Sequence, residues 1–207
     1  KLNLYAGATY TKSAKLNSIN VRSYATLRVL QASGQSIVVN TLDADLSGLG
    51  LAETNLTLPS RSTFGIGIGS PRKWFLGTEI SHTQTSQFSN PLISIGNVKY
   101  EDATSYSLGG YFIPKYDSFR RYYKRITYRA GIYSENTGMK INGSAIDEFG
   151  ISFGLGLPVG QFFSNANIGI EIGQRGTIDN NLIEEDFVNI QIGLSLNDRW
   201  FVKRKYN

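Results

Sequence analysis

The sequence contains no cysteine, so neither a disulfide framework nor a cysteine-ligated metal site is possible. Proline is scarce as well, with 5 residues among 207. All five fall in predicted connections, where a missing N–H breaks no ladder hydrogen bond; they are Pro59, Pro71, Pro91, Pro114 and Pro158. The stability of the chain therefore has to come from backbone hydrogen bonding and side-chain packing.

Long apolar runs and dense charge are also missing. No stretch of about eighteen apolar residues occurs, so the sequence offers no transmembrane helix. Charged residues make up 18% of the chain, below the roughly 25% of a typical soluble domain. The net charge is +5, but the Lys and Arg residues are dispersed along the sequence, which predicts no nucleic-acid partner.

The residues that carry chemistry are few. His82 is the single histidine, and without aligned partners it cannot form a Ser-His-Asp relay. An enzyme is therefore the least expected class, and no cofactor or metal is predicted. Asp43 and Asp45, and the acidic run at 184–186, could bind Ca²⁺ or bridge cations among lipids, but they lack an EF-hand pattern and are expected to be solvated loop carboxylates.

The sequence is rich in glycine (22), tyrosine (12) and phenylalanine (11), and its apolar residues alternate at period two. The clearest segment is FGISFGLGL at 149–157, which has bulky apolar residues on one side and glycine or serine on the other. Similar segments recur along the whole chain, and they begin near residues 2, 21, 64, 74, 105, 126, 166 and 188. The pattern predicts an all-β chain of about nine strands.

The predicted connections alternate between short and long. The short ones are near 12–18, 70–73, 114–121 and 158–164, and the long ones are 31–60, 83–102, 135–147 and 174–186. Short turns at one end and long loops at the other are typical of outer-membrane barrels. The sequence thus favours a transmembrane antiparallel β-barrel in the outer membrane of a Gram-negative bacterium, and the alternative is a soluble β-sandwich with one solvated face.

In such a barrel the apolar side of each strand faces lipid and the polar side faces the lumen. The residues predicted to face lipid are Phe149, Ile151, Phe153, Leu155, Ile168, Ile170, Ile190, Ile192 and Leu194. The residues predicted to face the lumen are Arg22, Arg28, Glu79, Arg129, Glu171, Asn189 and Gln191. Aromatic residues at strand ends fit the girdles found at membrane interfaces.

The chain is predicted to be a single barrel domain over 1–207, with a short basic periplasmic tail at 198–207. Single-chain bacterial barrels have an even number of strands. Because about nine are expected here, the sequence predicts that an odd number of strands precede Lys1.

Several glycine-rich motifs resemble the long-chain fatty acid transporter (FadL-like) family. They are LTLPS at 56–60, STFGIGI at 62–68 and KWFLG at 73–77, followed by GISFGLGLP at 150–158, NIGIEIG at 167–173 and the segment 190–201. The resemblance implies that the chain is the C-terminal portion of a fourteen-stranded barrel, whose N-terminal plug and first five strands would precede Lys1. It also implies passive uptake of hydrophobic small molecules, such as fatty acids or aromatic hydrocarbons.

A second hypothesis gives the barrel no transport activity. It would then be an accessory or structural subunit of a larger outer-membrane complex for secretion or assembly. The expected partners are therefore outer-membrane lipids, together with either a hydrophobic ligand or a larger protein complex.

Overall fold

The computed structural model describes residues 1–30, 34–92, 96–159 and 164–195. In these residues the chain forms strands and three short 3-10 turns, at Thr85–Gln87, Tyr122–Lys124 and Asp179–Asn181. Among the residues described, no helix is long and apolar enough to cross a membrane. The strands are β1 (Asn3–Thr11), β2 (Ala14–Ile19), β3 (Ser23–Val29), β4 (Ser36–Asp43), β5 (Glu53–Leu58), β6 (Arg61–Ser70), β7 (Trp74–Thr83), β8 (Val98–Tyr100), β9 (Ala103–Phe112), β10 (Thr127–Ile141), β11 (Ser144–Val159), β12 (Ser164–Gly176) and β13 (Glu184–Ser195).

Eight long strands form one antiparallel sheet in the order β1-β6-β7-β9-β10-β11-β12-β13, and the short β8 adds to β10. The predicted antiparallel all-β fold is therefore confirmed. In the described residues β1 and β13 are the two edges of the sheet and do not pair with each other. They run in opposite directions, because each of the seven pairings along the path is antiparallel.

The predicted count of about nine wall strands was wrong in one place. Eight of the predicted segments are long strands of the main sheet, but the segment near 21–29 is β3, which pairs only with β4 in a separate hairpin. Period-two alternation identifies a strand but does not say which strand it pairs with. Within the described ranges, the main sheet therefore contains eight long strands, and the prediction that further strands precede Lys1 stays a prediction.

Residues between β1 and β6 form an excursion made of two nested two-stranded sheets, β2–β5 and β3–β4. The Asn20 amide holds the base of this excursion, because it donates hydrogen bonds of 2.9 Å to the Leu51 carbonyl and to Thr54 Oγ1. Leu46 is buried in the turn that follows β4. Every residue of β3 and β4 is exposed, so this hairpin projects away from the rest of the structure.

The region 135–147, predicted to be a long loop, is a hairpin. β10 and β11 continue past the neighbouring strands and are joined by Asn142 and Gly143. Both residues have positive φ, 52° and 87°, as the two-residue turns that suit a hairpin's twist require. A pairing irregularity between Asn136 and Lys140 accompanies this extension.

The two ends of the main sheet differ in their connections. We call one the loop-rich end; it carries the excursion at 12–60, the connection 84–102 with β8, the tip of the β10–β11 hairpin and the connection 177–183. We call the other the turn end; its described connections are 71–73 and 113–126. The larger connections thus lie at one end of the sheet, as the sequence predicted. The exception is the short connection predicted near 12–18, which belongs to the excursion at the loop-rich end.

Candidate functional site

One face of the main sheet is apolar from edge to edge. The pairing of β11, β12 and β13 brings Phe153, Ile170 and Ile190 into one row across the strands. Residues two positions away form parallel rows, so all nine residues predicted to face lipid lie on this apolar face. All nine are exposed, from Ile151 at 38% to Ile192 at 75%. The same face continues through β10, β9, β7 and β6 to Leu4 of β1.

The opposite face, which we call the polar face, carries five of the seven residues predicted to line a lumen. They are Glu79, Arg129, Glu171, Asn189 and Gln191, and the strand register brings them to the same side of the sheet. The other two lie elsewhere. Arg22 is in the link before β3, and Arg28 is in β3 itself, so both belong to the excursion and not to the main sheet.

A hydrogen-bonded network joins four strands on the polar face. The Tyr133 hydroxyl lies 2.7 Å from Glu148 Oε1 and 3.1 Å from Glu171 Oε1. Arg175 forms an ion pair with Glu148, and Asn189 donates to Glu171 at 3.4 Å. The network therefore ties β10, β11, β12 and β13 together over the polar face.

Sequence reasoning found Glu171 and Asn189 but missed Tyr133, Glu148 and Arg175. Tyr133 and Glu148 do lie on the glycine-rich sides of their strands, and that was the available signal. Nearer the turn end, Arg129 Nη1 donates to Asn167 Oδ1 at 2.9 Å, which adds a second link between β10 and β12.

Aromatic rings cover glycines on the polar face. A Cβ at Gly150 would come within 2.5 Å of the Tyr133 ring, and one at Gly67 within 2.5 Å of the Phe75 ring. Phe75 also makes an edge contact with Tyr5 at 5.6 Å and stacks on Tyr111 at 6.0 Å. The glycines of the alternating pattern thus leave room for rings that lie flat on the polar face.

His82 does acquire polar neighbours in the fold, at the loop-rich end. His82 Nε2 is 3.7 Å from Asp102 Oδ2, and the Ser86 hydroxyl bonds the other oxygen of that carboxylate. A catalytic relay needs the histidine between the serine and the acid, but here Asp102 lies between the other two. The pKa of Asp102 is lowered mainly by the hydrogen bond from the Ser86 hydroxyl, with the Ser86 N–H and the nearby His82 adding to it. The contacts of Asp102 with Ser86 and His82 hold the two ends of the connection 84–102 together.

The acidic residues of the loop-rich end are not arranged as a metal site. Across the described ranges, no three His, Asp or Glu side chains gather in a way that could hold an ion. Asp45 instead accepts a hydrogen bond from the Gly48 N–H at 3.0 Å, which closes a local turn. Glu184, Glu185 and Asp186 are exposed at the start of β13. The predicted basic tail at 198–207 lies outside the described residues.

One protein-family model matches this chain; its description is BamG, and it covers residues 1–207. No curated protein matches the chain. The family is tied to BAM, the outer-membrane β-barrel assembly complex, which is consistent with an outer-membrane or envelope location. The resemblance to the FadL-like transporters was therefore wrong. The fourteen-stranded barrel and the uptake of fatty acids or hydrocarbons, which that resemblance implied, lose their support as well. The chain belongs to the BamG family, and this points to a component of an outer-membrane assembly complex.

Proposed function

We propose that this protein is a non-enzymatic, membrane-spanning β-barrel subunit of the outer-membrane β-barrel assembly complex. The family match supports membership of the complex. The observation that carries the membrane position is the continuous, exposed apolar face of the main sheet. No transport role is part of the proposal.

The burial pattern favours lipid over water as the environment of that face. Within the described ranges, only Leu46, Ala103 and Ile146 are buried apolar side chains, while large apolar residues are exposed on all eight long strands. A soluble monomer rarely exposes a contiguous apolar patch beyond about 300–600 Å². A sandwich would have to cover the apolar face with a second sheet, and the two small sheets of the excursion do not do so. Hydrocarbon lipid would cover it completely.

A membrane position also requires that every backbone polar group be paired, and only a closed sheet achieves this with strands. The two edges β1 and β13 are suited to closure. They run antiparallel, and Leu4 of β1 and Ile190 of β13 lie in the same row of the apolar face. Pairing of the two edge strands would close the sheet with its apolar residues outside and its polar residues inside around the whole barrel.

The proposed contact with other subunits is the β3–β4 hairpin at the loop-rich end. A two-stranded hairpin alone in water is marginally stable at best. Here it exposes apolar side chains on both of its faces, including Tyr24 at 59%, Val38 at 57% and Leu42 at 68%. An apolar surface of another subunit of the complex would stabilise the hairpin and bury these side chains.

Purification of the tagged protein from its native outer membrane in a mild detergent tests the proposal. The expected result is stoichiometric recovery of the large barrel subunit of the assembly complex, with a heat-dependent change of electrophoretic mobility for the tagged chain itself. A protein that extracts without detergent would refute the membrane position. A protein that needs detergent but is recovered alone would refute its membership of the complex.

A further inference from the structure

The turn end of the sheet gathers positive charge that the sequence had shown as dispersed. The two described connections at this end contain seven basic residues and a single acidic one, Asp117. We call the seven the turn-end basic cluster; they are Arg72, Lys73, Lys115, Arg120, Arg121, Lys124 and Arg125. The ion pairs of the described residues involve His82, Lys140 and Arg175, and none involves a member of this cluster. Within the part of the chain that the structure describes, no ion pair neutralises the charge of this cluster.

The cluster is built on a defined scaffold. The Ile113 N–H donates to the Lys73 carbonyl at 2.6 Å, and the Lys115 N–H donates to the Lys124 carbonyl at 2.7 Å. The Arg72 guanidinium lies over the Tyr116 ring at 5.0 Å, so the two connections pack on each other. The Arg125 guanidinium lies 5.4 Å over Tyr122, and its Nε atom is buried without a hydrogen-bond partner.

Aromatic residues alternate with these cations and connect them to the apolar face. The Tyr128 hydroxyl donates to the Tyr123 carbonyl at 3.1 Å, and the Tyr122 hydroxyl donates to the Pro158 carbonyl at 3.2 Å. Tyr128 is itself on the apolar face of β10, next to Phe112 of β9. Phe119, directly before Arg120, is 101% exposed.

The apolar face, the aromatic residues and the cations follow one another in the same order as the layers of a bilayer leaflet. Hydrocarbon lies against the apolar face, amphipathic rings belong at the headgroup level, and cations attract anionic headgroups just beyond it. A nucleic acid or an acidic protein would also bind cations and aromatic rings, but neither would need them to border an apolar sheet face. We infer that the turn-end basic cluster is a binding surface for anionic phospholipid headgroups. This inference rests on the proposed membrane position.

Lipid retention by the whole protein tests the inference. The protein is inserted into nanodiscs made from phosphatidylglycerol and phosphatidylcholine, extracted gently, and the lipids that stay bound are measured by native mass spectrometry. The variant K115Q/R120Q/R121Q removes three exposed cations of the cluster. The matched control K12Q/K15Q/K99Q removes three exposed cations at the loop-rich end.

The wild-type protein and the control should retain phosphatidylglycerol at least about fivefold above its share of the bilayer, the change that one well-placed cation near an anionic surface supplies. In the cluster variant, which keeps four of the seven cations, this enrichment should fall toward the bulk ratio. Retention at the bulk ratio by wild type, undiminished enrichment in the cluster variant, or an equal loss in the control would overturn the inference. So would an enrichment that inorganic phosphate or a single-stranded oligonucleotide abolishes, because the cluster would then bind anions in general.

The same experiment separates this inference from the function on which it rests. A chain that enters the nanodisc but retains lipids at the bulk ratio has no headgroup surface, and its membrane position stands. A wild-type chain that does not enter the nanodisc refutes the membrane position, and the inference with it.

Discussion

Tyr133 is the centre of the polar-face network, because its one hydroxyl faces the carboxylates of both Glu148 and Glu171. The sheet holds these acids close together, and the phenol and Arg175 reduce the repulsion between them. Removing the hydroxyl takes a donor from two partly buried carboxylates, and the loss of one partner from a buried polar group is generally larger than the net gain of one hydrogen bond.

Tyr133→Phe should therefore lower the free energy of unfolding by about 1–3 kcal/mol, as measured by denaturant titration in lipid vesicles. The aromatic ring over Gly150 stays, so the change isolates the hydroxyl. The matched control is Tyr10→Phe on the apolar face, where the side chain is 69% exposed. Equal effects of the two substitutions would mean that the network contributes nothing.

Adjacent residues of β13 test which face of the sheet meets lipid. Ile190 lies on the apolar face and Gln191 on the polar face, one position apart on the same strand. Ile190→Arg should cost about 2–4 kcal/mol if it lies near the bilayer midplane, whereas Gln191→Arg should cost much less. Unfolding in vesicles gives both values, and the reverse order would mean that the sheet faces lipid with its polar side.

These residues also show what the sequence could predict. Period two places Ile190 and Gln191 on opposite faces without any knowledge of the fold. The same period could not place Arg28, because its strand belongs to a hairpin whose pairing the pattern does not specify. Nor could it find the ion pair of Glu148 with Arg175, since that contact depends on the register between β11 and β12.

The β3–β4 hairpin is the element whose exposure the main sheet does not explain. Its two strands pair with each other, and the hairpin meets the rest of the chain through links such as the Arg22 guanidinium, which lies 3.2 Å from the Leu92 carbonyl. The apolar face of the main sheet would meet lipid, but the hairpin lies beyond the loop-rich end. A protein partner is the environment that we propose for its apolar side chains.

Leu27→Ser combined with Val38→Ser should reduce recovery of the complex at least about tenfold, because buried interface anchors commonly cost more than 1 kcal/mol each when truncated. These two residues pair across the hairpin, and both are exposed. The measurement is quantitative co-purification from the native membrane.

Ile178→Ser combined with Ile183→Ser is the matched control for the hairpin. These residues are 73% and 77% exposed in a connection at the same end of the sheet. Co-purification should be unchanged in the control, and heat-dependent mobility should be unchanged in both variants. Equal recovery from the hairpin variant and wild type would exclude the hairpin as the contact.

The two ends of the main sheet differ in charge and in the kind of connection that they carry. The loop-rich end carries the projecting hairpin, the His82–Asp102 contact and most of the acidic residues, while the turn end carries the basic cluster and its aromatic residues. The sequence predicted the longer connections at one end because turn and loop residues are local signals. The clustering of charge could not be predicted from the sequence, because Arg72 and Arg121 are far apart in the chain and strand order alone brings their two connections to the same end.

Closure of the sheet is the whole-molecule property on which the membrane proposal depends. The sequence has no cysteine, so any disulfide that forms in a double-cysteine variant must join the introduced cysteines. One cysteine at Ala6 of β1 would be combined in turn with cysteines at positions 188, 190, 192 and 194 of β13, all of which share its face of the sheet. Ala6→Cys with Ile66→Cys, a pair that the β1–β6 register already joins, serves as the positive control.

In the outer membrane one β13 position should form an intramolecular disulfide with Cys at residue 6, and its neighbours should react less, because bridged Cα atoms must lie within about 7 Å. Moving the first cysteine to Ala8 should shift the preferred partner by two residues toward the start of β13, since antiparallel strands keep the sum of paired residue numbers constant. If the control pair forms while every β1–β13 pair stays reduced, the sheet is open in the membrane. If disulfides form only between chains, the two edges pair with another molecule, and a self-closed barrel is excluded.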